Sequence, residues 1–131
     1  MNLKEILVKE DYSICTSSGY HSKASGIAPV IDRIREDRYF FKDQVVADKI
    51  IGKASAMLLV YSGVKEIQAI VLSEAGKEIL DRYGISYDYE TLTDQIVNRR
   101  GDGMCPMELT VKDIDDLKEA YEALDRKTAP L

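Results

Sequence analysis

The chain has 131 residues, of which 45% are hydrophobic and 31% charged, with a formal net charge of −5. A domain of this size buries a sizeable core without disulfide or metal staples, and the acidic balance argues against a nucleic-acid binder, which presents a basic face. No apolar run is long enough to span a bilayer and the N-terminus lacks the build of a signal peptide, so no membrane partner is expected.

The two cysteines, Cys15 and Cys105, have no framework spacing, which makes a reducing cytoplasm the expected location. With no internal repeat and no Pro/Gly-rich linker, residues 1–131 read as one domain. Leu3, Ile6 and Leu7 predict a short amphipathic helix over residues 2–10. Tyr12, Ile14 and Thr16 alternate with small polar residues before the turn signal Ser18-Gly19, a β-hairpin pattern. Ser25-Gly26 closes it, and Pro29 sits near the start of a helix carrying Ile27, Val30, Ile31 and Ile34.

Residues 44–62 give the longest regular pattern. On a helical wheel Val46, Ala47, Ile50, Ile51, Ala54, Met57, Leu58 and Tyr61 fall within about 140°, which predicts one amphipathic helix ended by Gly63. The β-branched run at 67–72 predicts a buried strand. Ser73 is placed to cap a helix over 74–83, and residues 85–89 alternate as a second strand. Leu92, Ile96 and Val97 lead into a Gly-rich loop at 98–108. Thr110 with Asp113 predicts a cap for a last helix with Ile114, Leu117, Ala120, Tyr121 and Leu124 on one stripe. A hairpin followed by alternating helices and strands predicts an α/β domain with helices on both faces of a mixed sheet.

Two segments carry candidate chemistry. In the expected long helix, Asp48 and Gly52 share one face and Lys49 and Lys53 another. A glycine inside a helix costs about 1 kcal/mol relative to alanine, so something approaches the backbone there: another element, a subunit or a ligand. The competing reading is an ordinary solvated face. In the Gly-rich loop, two glycines free backbone N–H groups to turn toward an anion, and Arg99 and Arg100 bring positive charge. A helical turn starting at Pro106 would put Cys105 at its cap, where the dipole favours a thiolate; the competing reading is an inert cysteine in a structural loop. One histidine, His21, and two cysteines fall short of the ligands a zinc site needs unless Cys15, His21 and Cys105 converge, so no metal or other cofactor is expected.

Three blocks, Gly26-Ile-Ala-Pro29, Val46-Ala-Asp-Lys-Ile-Ile-Gly-Lys53 and Ile96-Val-Asn-Arg-Arg-Gly-Asp-Gly-Met-Cys-Pro-Met-Glu108, resemble the prokaryotic family called domain of unknown function 1893. The resemblance implies a cytidine-deaminase-like fold, a three-layer α/β/α sandwich with a mixed sheet. It does not imply deaminase chemistry. Active zinc deaminases open the central helix with His-x-Glu and the next with Pro-Cys-x-x-Cys, places matched here to Ala47-Asp-Lys49 and Leu72-Ser-Glu-Ala75. What it leaves is a pocket where two helix N-termini meet. The expectation is a zinc-free protein that binds a small anionic or nucleotide-like ligand, with Asp48, Lys49 and Cys105 as candidate catalytic groups. Lys53, Ser73, Asn98 and Arg99 are the candidate ligand contacts. Two other readings stand beside it: a non-catalytic interaction module, with a homodimer contact around Gly52, or a thiol enzyme or redox sensor using Cys105. Whether the chain is an enzyme stays open at this point.

Overall fold

A computed structural model describes residues 2–98 and 100–129. After α1 (Leu3–Lys9), the strands β1 (Ile14–Thr16) and β2 (His21–Ser22) form the hairpin, turned at Gly19 with φ +97°, and α2 (Ala28–Glu36) follows. The chain continues through β3 (Val45–Ile51), α3 (Lys53–Ser62), β4 (Glu66–Ser73), α4 (Glu74–Arg82) and β5 (Ser86–Thr93). It closes with α5 (Pro106–Val111) and α6 (Leu117–Thr128). The strands make one mixed five-stranded sheet in the order β2-β1-β3-β4-β5. β1 is antiparallel to β2 and β3, whereas β3, β4 and β5 run parallel, with Asp48 beside Ala69 and Ile67 beside Tyr87.

The single helix expected over residues 44–62 is instead a strand followed by a helix. β3 holds Val45, Val46, Ile50 and Ile51, β-branched residues suited to a pleated sheet. The helical-wheel signal was misleading because a buried strand runs straight into a buried helix. In α3 every residue from Ala54 to Leu59 is buried, so no polar face marks where helical period begins. Gly63, in the left-handed region at φ +92°, ends α3. The expected cap at Thr110 and Asp113 is also displaced. Thr110 lies inside α5 and its hydroxyl donates to the Pro106 carbonyl, while Asp116 caps α6 by accepting from Glu119 N at 2.9 Å. The strand expected at 85–89 runs on to Thr93, taking in Leu92.

Strand alternation divides the core into two unequal layers. Ile14, Val46, Ile67 and Ala69 join Ile31, Phe41, Leu58, Leu80 and Leu124 in one cluster under α2, α3, α4 and α6. Their strand neighbours Cys15, Ala47 and Ile70 point to the other face, where Leu7 of α1 packs with Leu3 and Ile6. Helices therefore lie on both faces, one of them covered by α1 alone among the described residues. Asp116→Ala should remove about 1 kcal/mol of stability through the lost cap, whereas Asp113→Ala should be near neutral. Parallel urea denaturation of the two variants checks which residue starts α6.

Candidate functional site

Gly52 links β3 to α3 in an extended conformation, with φ −106° and ψ −169°, and supplies no side chain to cap the helix. Glu108 of α5 does so from 56 positions away in the chain. Its Oε1 accepts from Lys53 N at 2.7 Å and its Oε2 from Ala54 N at 2.8 Å, so one carboxylate satisfies two open donors of α3. A Cβ at position 52 would collide with that carboxylate and lie 2.9 Å from Ile96 Cγ1, which is why only glycine fits. Glu108 is 8% exposed. Burial pushes its carboxyl group up from the usual range, and the Ala54 and Lys53 amides pull it back.

The start of α4 closes on the same point. A Cβ on Gly76 would lie 3.1 Å from the Gly52 backbone, and the Ser73 hydroxyl caps α4 by accepting from Gly76 N at 3.0 Å. The two helix N-termini therefore meet, each capped by a side chain of the same protein.

Beside this junction, at the C-terminal end of β3, opens a cavity of about 840 Å³. It is bounded by Ser13 before β1, by Lys23, Ser25, Gly26 and Ile27, by Asp48, Lys49 and Ile50 of β3, and by Gly52 and Ser55. The segment after β5 supplies Ile96, Val97, Asn98 and Arg100, and the start of α5 supplies Cys105 to Glu108. That segment is a small hairpin, bridged at Val97 and Met104 and held by Asn98 N donating to Gly103 O and Cys105 N donating to Ile96 O. Cys105 is a free thiol at the N-terminus of α5.

Asp48 is the most perturbed group at the cavity. The residue as a whole is half-buried, and loss of water around its carboxyl group raises its pKa from the ordinary 3.8 to about 8; hydrogen bonds from the Ile50 and Lys49 backbone oppose the shift. Lys49 reaches out to Asp11, whose carboxyl it holds below the ordinary value. Asn98 turns its amide to Asp102 at 2.8 Å, and exposed Arg100 lies 3.6 Å from the same carboxylate.

The structure thus brings Asp48, Lys49, Asn98 and Cys105 to one cavity and leaves two other candidates outside it. The Lys53 ammonium donates to the Lys112 carbonyl at 3.0 Å, and buried Ser73 is committed to its cap. Arg99 lies outside the described residues. Ala47-Asp-Lys49, matched above to a helix opening, sits within β3; α3 opens with Lys53, Ala54 and Ser55. Gly52 is closed in by Glu108 and Ile96 on one side and by Gly76 on another, so the close approach that its lack of a side chain permits is made from within the chain. His21 stacks on Tyr12 at 4.3 Å, and the buried Cys15 thiol donates to the Leu3 carbonyl. No group of three His, Cys, Asp or Glu side chains is placed to hold a metal among the described residues. Glu108 escapes sequence reasoning because nothing in its linear neighbourhood points to α3. The unexplained glycine at 52 was the one available signal.

The fold and site define an α/β domain whose central strand ends at a cavity of mostly apolar lining, with lysine, arginine and carboxyl groups among its walls. The family described as "Domain of unknown function (DUF1893)" matches residues 2–128, and the chain belongs to that family. The crystal structure of a DUF1893 family protein from Thermotoga maritima is similar to it, with 30% sequence identity and a TM-score of 0.86. The match covers 95% of this chain and 86% of that one. No curated protein matches the chain.

Gly52→Ala and Glu108→Ala should each cost about 2–3 kcal/mol, the first by collision and the second by leaving buried amides unpaired. The double variant should cost clearly less than the sum, since removing the carboxylate removes its part of the collision. Urea unfolding of all four proteins measures the coupling. Asp48 sets a pH dependence. Because its folded pKa is raised, the folded chain holds a proton that the unfolded chain releases between 3.8 and about 8. Its contribution to stability therefore falls as pH rises through that window. Asp48→Asn should flatten the melting temperature against pH there and be more stable than the parent at pH above 8.

Proposed function

We propose that the cavity binds a small anionic or nucleotide-like molecule. The observation that carries this reading is how its charges are disposed. Its two carboxyl groups are muted, Asp48 by desolvation and Glu108 by the α3 amides, while Lys23, Lys49 and Arg100 bring cations to the same opening. An anion approaching the opening meets those cations with little repulsion from the floor, although Asp11 at the rim draws on Lys49 and Asp102 on Arg100. Protonated Asp48 supplies a donor, and Ile50 and Val97, both more than half exposed, give the mouth apolar surface for a flat ring. In this reading the donors are side chains, since Glu108 already takes the first two amides of α3 and Ser73 caps α4. On the same reading the mixed sheet with helices on both faces belongs to a cytidine-deaminase-like sandwich without the zinc-binding motifs of the active enzymes.

The test is a thermal-shift screen of nucleosides, nucleotides and inorganic phosphate against the parent, Lys49→Gln and Lys53→Gln. Ligand-induced stabilisation should appear with a nucleotide or phosphate, fall in Lys49→Gln and persist in Lys53→Gln, whose ammonium is spent on Lys112. The bound compound should also slow alkylation of Cys105, and buried Cys15 should stay unreactive in the folded chain. A screen in which no anion stabilises the protein overturns the reading.

A further inference from the structure

Away from the cavity, the sheet ends in an edge that no strand among the described residues covers. β5 pairs only with β4, and its eight residues Ser86–Thr93 are mostly exposed. The opposite edge, β2, has only two residues. Exposed edges are usually blunted by charged side chains, lysine above all, by proline, by bulges or by short length, because their free N–H and C=O groups template another strand. β5 contains neither lysine nor proline, and its only charges, Asp88 and Glu90, are both acidic, so they guard the edge against strands of like charge and not against basic ones.

Its two faces differ. On one, Tyr87 and Tyr89 stack with ring centroids 6.4 Å apart. On the other, Asp88 and Glu90 stand side by side; Asp88 is held by Lys4 of α1, and Glu90 has no ion-pair partner among the described residues.

This pattern disfavours a second copy as the occupant. A symmetric antiparallel pair centred on Asp88 or Glu90 puts that carboxylate opposite itself, and one centred on Tyr89 puts Asp88 opposite Glu90. Centring on Thr91 sets Asp88 against Asp94, and centring on Tyr87 leaves little of the strand paired. Like charges directly opposite each other destabilise a sheet. A strand of opposite charge meets no such conflict.

We propose that β5 is a docking edge for an extended basic segment of another protein. The segment adds as a further strand, with alternate Lys or Arg side chains toward Asp88 and Glu90 and the intervening apolar ones over the Tyr87–Tyr89 stack. The site is separate from the cavity and does not depend on what the cavity binds.

The experiment titrates the isotope-labelled full chain with a short peptide alternating lysine and valine, read by amide shifts and amide exchange. The expected result is change confined to Ser86–Thr93, weakened by salt, and roughly tenfold weaker binding to Glu90→Lys. A peptide with glutamate in place of lysine should not bind. Neither should a backbone N-methylated version, which keeps the charge but cannot add as a strand. The proposal is overturned by silent β5 amides, by equal binding of the N-methylated peptide, or by a free chain already dimeric with those amides protected.

Discussion

The carboxylate of Glu108 on the Lys53 and Ala54 amides joins two parts of the molecule that the sheet does not. β5 ends at the far edge, and the chain then returns over the starts of α4 and α3 to reach α5. Without a bond at its end, that return would be a loop resting on a surface. With Glu108 seated against Gly52, it becomes a fixed wall, and the cavity exists because the wall is fixed. The same contact explains why α3 begins with a glycine and no polar cap. Its cap comes from another helix, and a side chain at position 52 would displace it.

The position of the cavity follows from sheet topology. β3 has an antiparallel neighbour on one side and a parallel neighbour on the other. At its carboxyl end the chain turns into α3, while on the β1 side the neighbouring strand is only beginning. The elements diverge there and leave a crevice, as open α/β sheets do where strand direction or order changes. Asp48 lies near the mouth of that crevice, open enough to face it and enclosed enough to lose much of its hydration. Desolvation raises the pKa of Asp48, and the α3 amides hold the Glu108 carboxylate, so both acidic groups of the cavity are shaped by what surrounds them.

Local signals read from the sequence correspond to local structure. The hairpin at Gly19, the Pro29 helix, the buried strand at 67–72 and the Ser73 cap all rest on residues within a few positions of each other. Asp48, Lys49, Asn98 and Cys105 could be named as one group because the two segments carrying them stood out by composition. The boundary between β3 and α3 could not be read. Buried residues on both sides of Gly52 erased the contrast between strand and helix periods, and a glycine at the start of a helix looks in sequence like one within it.

The sequence by itself determined the class of the fold, α/β with a mixed sheet, and membership of a family carried by three blocks of residues. Those properties follow from short-range patterning and survive without knowing which residues touch. Tertiary structure alone decided what Gly52 is for, that both helix N-termini are capped by side chains of the same protein, and that Lys53 and Ser73 are spent on the scaffold. Each depends on a partner brought near by the fold, most of all Glu108 on Lys53 and Ala54. The free energy of such a pairing depends on distance and burial, neither of which is written in the order of residues along the chain.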